Sequence, residues 1–168
     1  MNKLLKILVF ILLCTGCGDS QSTEKEKFSY KRKPTEKKEN IILDHTNHGI
    51  KSSEMIDLEN KGIGPIKEIT FDNEVNLQLA SSGKEIFKKM CTACHRVDKK
   101  FIGPKPNKIF ERRTPEWVMN MILNPEEMIK SDPIAKKLLV EFNNAPMANQ
   151  NLTENEARAI VEYFRTLN

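Results

Sequence analysis

The segment Cys91-Thr92-Ala93-Cys94-His95 decides how this chain can fold. It carries two thiols separated by two residues, and an imidazole directly follows the second thiol. A helical pattern precedes the segment, and a loop containing Gly103 and Pro104 follows it. Paired cysteines at this spacing occur in haem attachment sites, zinc sites and thiol oxidoreductases, so the surrounding sequence must discriminate among the three.

The rest of the chain favours covalent haem attachment. A zinc site would need further ligands, and the only other histidines, His45 and His48, lie in a polar stretch. A thioredoxin-like site would need alternating strands and helices, which the sequence does not show. In a haem site, Cys91 and Cys94 bond the two vinyl groups and His95 binds the iron. The sequence therefore predicts one covalently attached haem c with His95 as an iron ligand.

The composition is that of one modest globular domain joined to polar sequence. The 168 residues are 39% hydrophobic and 30% charged, which excludes a polytopic membrane protein and a collagen-like chain. Four cysteines are too few for a disulfide-dense scaffold. A net charge of +4 and an aromatic content of 7%, without a binding motif, predict no nucleic-acid partner.

The first 17 residues are typical of an export signal. Two lysines precede the apolar run at residues 7–13, which is too short to span a ~30 Å hydrocarbon core. Small residues and then Cys17 follow, a pattern that resembles a bacterial lipoprotein signal. We therefore expect lipid on Cys17 and anchoring to a bacterial membrane, facing the periplasm. Ordinary signal cleavage, with a free thiol at Cys17, is the alternative.

Residues 18–62 are predicted to form a flexible charged linker. They contain nine basic and nine acidic residues and few large apolar ones, so little burial is available to offset the entropy of ordering. His45 and His48 are predicted to be solvated residues of this linker rather than metal ligands. Apolar residues recur from Ile63 onward, so the folded domain is predicted to span residues 63–168.

The domain is predicted to be all-α. Asn73, Thr114 and Thr153 are the expected N-caps, and Thr153 begins a capping box. Gly83 interrupts the first helix, so we expect another element to approach closely there. No run alternates as a strand does. The predicted helices cover residues 74–90, 115–124, 134–142 and 154–167.

These features resemble the class I bacterial cytochromes c over about residues 72–168. Gly83 and Phe87, ahead of the haem motif, are similar to the family's first helix, while Ile160 and Tyr163 are similar to the answering positions of its last helix. The resemblance implies a helical domain wrapped around one covalent haem.

The resemblance also implies roles for residues outside the motif. Pro104 is expected to accept a hydrogen bond from the proximal histidine and so orient it. Met147, in a loop before the last helix, takes the place of the family's methionine ligand, with Met128 as the runner-up. Trp117 and Arg113, or its neighbour Arg112, are expected to contact the haem propionates.

A His95/Met147 pair would fill both axial positions of the iron and leave none for a substrate. We therefore expect a monomeric electron carrier rather than an enzyme, serving membrane-associated or periplasmic redox proteins through small interfaces. A five-coordinate or labile-ligand haem protein, acting as a gas sensor or peroxidase, is one alternative. A dedicated donor to an anaerobic terminal reductase, such as nitrous-oxide reductase, is another, suggested by a looser resemblance to small lipoprotein cytochromes of nitrous-oxide respiration.

Basic residues are concentrated around the haem motif. Residues 84–108 contain eight basic and two acidic residues, whereas the rest of the domain contains eight basic and twelve acidic ones. Positive charge around an exposed haem edge would attract partners with acidic docking surfaces, and association would depend strongly on salt.

Overall fold

The computed structural model describes residues 49–167 of the chain, and the structural statements below concern those residues. Residues 1–48 lie outside this range. They contain the predicted export signal with Cys17 and the first part of the predicted linker with His45 and His48. The described part contains five α-helices, a short 3₁₀ helix and no strand beyond one isolated bridge, which confirms the all-α prediction. The helices are α1 (Leu77–Met90), α2 (Pro115–Leu123), α3 (Pro125–Ser131), α4 (Pro133–Glu141) and α5 (Glu154–Phe164), with the 3₁₀ helix at Ile109–Glu111.

Side-chain caps fix where the helices begin. The Thr114 side chain accepts a hydrogen bond from the Trp117 amide, and Thr153 forms the predicted capping box with Glu156. The first helix begins later than predicted, because the cap is Asn76 rather than Asn73. Both asparagines precede apolar positions of the same pattern, so the pattern alone did not separate them.

The helix α3 was not expected from the sequence. Asn124 and Pro125 end α2 as predicted, but Pro125 also occupies the first turn of a new seven-residue helix. Pro133 begins α4 in the same way. A proline at the first helical position loses no internal hydrogen bond, so each proline here separates two helices instead of starting a loop.

The first and last helices cross at Gly83. A Cβ atom at this position would lie 1.9 Å from the carbonyl oxygen of Ala159 in α5, so no larger residue fits without moving the helices apart. One turn further on, the Phe87 ring packs against Tyr163 and Phe164, with centroid distances of 5.7 and 5.6 Å. This confirms the predicted close approach at Gly83, and it fixes the end of α1, from which the haem motif continues.

A buried carboxylate ties α5 to the chain that leads into α1. Glu162 is 1% exposed and pairs with Arg158 and Arg165 at 2.6 Å each. It also accepts the Asn76 amide at 2.8 Å. Both guanidinium groups lie over the Phe71 ring, 4.5 Å from its centroid. Glu162 therefore holds the segment before α1 against the last helix.

Residues 49–62, named the strap here, lie within the predicted linker but pack on the helices in one compact unit with them. The Ser53 amide and hydroxyl donate to the Glu141 carboxylate at 2.8 and 2.5 Å. The Asp57 amide donates to the Arg112 carbonyl at 2.9 Å. The packing consists largely of hydrogen bonds, which hydrophobic periodicity does not reveal.

Among residues 49–167, no helix is long and apolar enough to cross a membrane.

Candidate functional site

A cavity of about 220 Å³ lies between the helices and the loops that follow α1 and α4. The structure brings all seven predicted haem-contacting residues to its wall: Cys91, Cys94, His95, Pro104, Arg113, Trp117 and Met147. Apolar side chains from α1, α2, α4 and α5 form much of the remainder, including Phe87, Val118, Ile122, Leu138, Ile160 and Phe164. A largely apolar cavity with a few polar groups is the setting that a porphyrin requires.

The two thiols lie in a turn at the C-terminal end of α1. The Cys91 amide donates to the Phe87 carbonyl, and the Cys91 carbonyl accepts the amides of Cys94 and His95 at 3.1 and 2.9 Å. The cysteines do not form a disulfide. Burial, and secondarily the neighbouring Cys94, raises the pKa of the Cys91 thiol to about 11. Both cysteines line the cavity unpaired, as attachment to a haem requires.

His95 is held from two sides. Its Nδ1 lies 2.7 Å from the Pro104 carbonyl oxygen, the contact that the resemblance implies. Because a carbonyl can only accept, Nδ1 carries the proton, and Nε2 of the neutral ring keeps its lone pair. Gly103 lies against the ring so closely that a Cβ there would be 2.5 Å from Cε1. Burial lowers the pKa of His95, while the hydrogen bond to Pro104 raises it, so the ring is suited to bind a metal.

Met147 reaches the cavity from the loop after α4. Asn143 and Asn144 have φ values of 59° and 57°, a conformation that asparagine tolerates better than most residues, and they reverse the chain there. Met147 is half-buried in the cavity wall. The runner-up, Met128, is not in that wall: it is fully buried, and its sulfur accepts the Ile63 amide at 2.9 Å.

Trp117 and Arg113 both form hydrogen bonds within the protein. The Trp117 indole donates to the buried carboxylate of Asp132 at 3.1 Å. Arg113 donates to the backbone carbonyls of Met55, Ser52 and Arg112. Sequence reasoning missed Asp132 as the partner of Trp117, although an aspartate directly before Pro133 is a signal for the helix cap that it also forms. Both residues line the cavity, and the bond to Asp132 uses the one N–H donor of the Trp117 ring.

Arg112 also offers a donor to the cavity. Its Nε is buried and, within residues 49–167, has no hydrogen-bond partner, although its Nη1 and Nη2 donate to the carbonyls of Lys108 and Asn107. Arg112 lines the cavity. Burial lowers the pKa of Arg112, but a guanidinium stays charged in proteins. A buried cationic donor in this wall fits an anionic group of the haem, and the residues present therefore fit the cofactor.

Comparisons with known proteins agree with this site. The family model for cytochrome c matches residues 80–168. The structure of cytochrome c from Rhodothermus marinus is 38% identical and superposes with a TM-score of 0.61, covering 70% of this chain and 93% of that one. An engineered form of that cytochrome is 37% identical, with a TM-score of 0.60, covering 70% of this chain and 94% of that one. The engineered form bound to a carbene intermediate is 38% identical, with a TM-score of 0.58, covering 70% of this chain and 94% of that one. No curated protein sequence matches the chain.

The motif and the comparisons support the same conclusion. The family match begins in α1 and extends through α5, so it contains Cys91, Cys94 and His95 in the arrangement described above. The structural match extends further, over 70% of the chain, at an identity well above the level at which only a fold is shared. Members of this family carry electrons on a covalently bound haem. This chain therefore belongs to the cytochrome c family, with Cys91 and Cys94 as the attachment site of its haem c.

Proposed function

We propose that this protein carries single electrons between membrane-associated or periplasmic redox proteins, with its haem iron ligated by His95 and Met147. The observation that carries the proposal is the presence of both side chains in the wall of one cavity with the two attachment cysteines. When bound, the haem supplies the one-electron chemistry. Two protein ligands leave no position for a substrate, so the protein acts as a carrier.

The residues around the haem hold the ligands and exclude water. Pro104 fixes the tautomer and orientation of His95, and Gly103 closes the space on one side of its ring. Met147 supplies a neutral thioether, which favours ferrous over ferric iron. Arg112, through its free Nε, is the residue that we assign to a haem propionate. Arg112 is one of the two arginines that the resemblance offers for this role.

Exposed side chains at the edge of the cavity form a surface that suits partners with acidic docking surfaces. Phe101 and Ile102 are 45% and 46% exposed, and Ile102 lines the cavity. Lys99, Lys100 and Lys105 are exposed in the same loop. An apolar centre with a basic rim suits the small, transient interfaces of electron transfer. We therefore propose that partners dock here through acidic surfaces, with the protein as a monomer and its lipid on Cys17.

The proposed ligand is tested with a volume-conserving substitution. Three methionines line the cavity, namely Met90, Met121 and Met147. Met147→Leu removes the sulfur while keeping the volume, and Met121→Leu is the matched control in the same cavity. Met147→Leu should abolish the far-red methionine–iron absorption band, lower the reduction potential and allow carbon monoxide to bind, while Met121→Leu should change none of these. If instead Met121→Leu abolishes the band, Met121 is the ligand and the assignment of Met147 is wrong.

An open-iron protein, acting as a gas sensor or peroxidase, is the second candidate function. The engineered relative with a bound carbene intermediate is the observation that favours it. A wild-type protein that binds carbon monoxide without any substitution would support this candidate. Service to one anaerobic terminal reductase, such as nitrous-oxide reductase, is a narrower form of the carrier function, and a single reductase recovered with the tagged protein from its membrane would support it.

A further inference from the structure

The strap, residues 49–62, reaches the wall of the haem cavity. Ser53 is itself one of the lining residues, together with Arg113 and Trp117. The Ser53 amide and hydroxyl donate to Glu141, at the end of α4. At its other end, the Asn60 amide group donates to the Asp132 carboxylate at 2.7 Å. The strap is therefore fastened at both ends of α4, to Glu141 and to the N-cap residue Asp132.

Two backbone carbonyls of the strap contact the guanidinium group of Arg113. Arg113 is 2% exposed and donates to the carbonyl oxygens of Ser52, at 2.6 Å, and of Met55. The guanidinium carbon lies 5.3 Å from the centroid of the Trp117 ring. Burial lowers the pKa of Arg113, but a guanidinium keeps its charge. The strap carbonyls thus take the place of water around a cation in the cavity wall.

Three carboxylates act on Arg113, but none forms an ion pair with it within residues 49–167. Each of the three carboxylates accepts hydrogen bonds from other groups. Asp57 accepts the amides of Glu59 and Asn60. Asp132 accepts the Trp117 indole N–H, and Glu141 accepts the Ser53 hydroxyl. A buried cation that is solvated by neutral carbonyls keeps more of its field than one in direct contact with a carboxylate. The three carboxylates therefore reduce the field of Arg113 at the cavity but do not neutralise it by direct contact.

We propose that the strap is a positioning element for the haem: by burying Arg113 at the cavity wall, it raises the reduction potential. Reduction adds one electron to the haem and lowers its net positive charge by one, so a nearby buried cation favours the reduced form. The inference rests on the bound haem c and goes beyond the proposed function, because it assigns a role to a segment before the matched family region, residues 80–168.

The test combines a loosened strap with removal of the charge. Ser53→Ala with Asn60→Ala removes side-chain anchors without changing the net charge. Arg113→Met removes the cation, Arg113→Lys retains it, and Lys67→Gln is the control for loss of an exposed charge. The measurements, on the full-length haem-loaded protein, are the midpoint potential, the methionine–iron band and hydrogen exchange of the Asp57 amide. The band reports whether the axial ligand is intact, so a failure of the proposed ligation is distinguished from a failure of this inference.

The strap variant should show faster exchange of the Asp57 amide, an unchanged band and a lower potential. At a fixed solution potential, the ratio of ferric to ferrous haem should rise on the order of three- to tenfold. Arg113→Met should also lower the potential. Arg113→Lys should keep the potential close to that of the wild type, and Lys67→Gln should leave it almost unchanged. In the Arg113→Met background, loosening the strap should change the potential no further.

Several results would overturn the proposal. The first is an unchanged potential in a strap variant whose Asp57 amide exchanges faster. The second is an unchanged potential in Arg113→Met. The third is that the strap variant and Arg113→Met lower the potential additively when they are combined. Unchanged exchange in the strap variant would also overturn it, because Ser53 and Asn60 would then not be the anchors.

Discussion

Replacing Gly83 with alanine should destabilise the protein, although alanine is the better helix former. The Cβ would lie 1.9 Å from the Ala159 carbonyl oxygen, whereas real Cβ contacts are essentially never under 3.0 Å. The helices α1 and α5 must therefore separate by more than about 1 Å at their crossing, which also loosens the packing of Phe87 on Tyr163. Overpacking against backbone costs about 3 kcal/mol, and the gain in helix propensity returns about 1 kcal/mol. The expected net loss is about 2 kcal/mol.

The assay is thermal and denaturant unfolding of the haem-loaded protein, followed by helical circular dichroism. A loss of about 2 kcal/mol corresponds to a fall in Tm of roughly 6–12 °C for a domain of this size. Ser81→Ala is the matched control, since Ser81 is exposed in the same helix. It should stabilise slightly, by a few tenths of a kcal/mol. If Gly83→Ala proves as stable as Ser81→Ala, the tight crossing of α1 and α5 is not present in solution.

Three further predictions concern the ion pairs of Glu162, the attachment site and the N-terminus. Glu162→Gln should cost about 2 kcal/mol at neutral pH, because it weakens the pairs with Arg158 and Arg165. Burial acts to raise the pKa of Glu162, but the hydrogen bonds and the arginine charges leave it below its ordinary value. The wild type's advantage should therefore be full above the unfolded-state pKa and disappear as the pH falls below about 4, as unfolding curves against pH would show. Alanine at both Cys91 and Cys94 should yield protein whose haem is removed by acid–acetone extraction, and haem that resists extraction would refute the attachment site. Cys17→Ser should move the protein from the membrane to the soluble fraction, and a variant that stays in the membrane would contradict lipid anchoring.

Local chemistry made much of the fold predictable from the sequence. The spacing of Cys91, Cys94 and His95 indicated the cofactor, and Thr114 and Thr153 indicated two helix starts through side-chain caps that the structure contains. Gly83 indicated the close approach of another element, which is α5 at Ala159. In each case one short segment carries enough chemistry to specify its own structure.

The strap and the partner of Trp117 depend on distant contacts that leave no local pattern. Ser53 and Glu141 are 88 residues apart, and residues 49–62 have the charged composition of a linker. Asp132, between α3 and α4, accepts the Trp117 indole, and no local pattern around Trp117 indicates this partner. Polar contacts between distant residues follow from the fold, so they can be predicted only when the arrangement of the helices is known.

The most direct test of the account is an optical spectrum of the wild-type haem-loaded protein, oxidised and then reduced, with and without carbon monoxide. Ligation by His95 and Met147 predicts a low-spin spectrum with the far-red methionine–iron band and no change on adding the gas. A high-spin spectrum that shifts with carbon monoxide would mean that the iron has an open position, and it would contradict the proposal that this cytochrome c is a simple electron carrier.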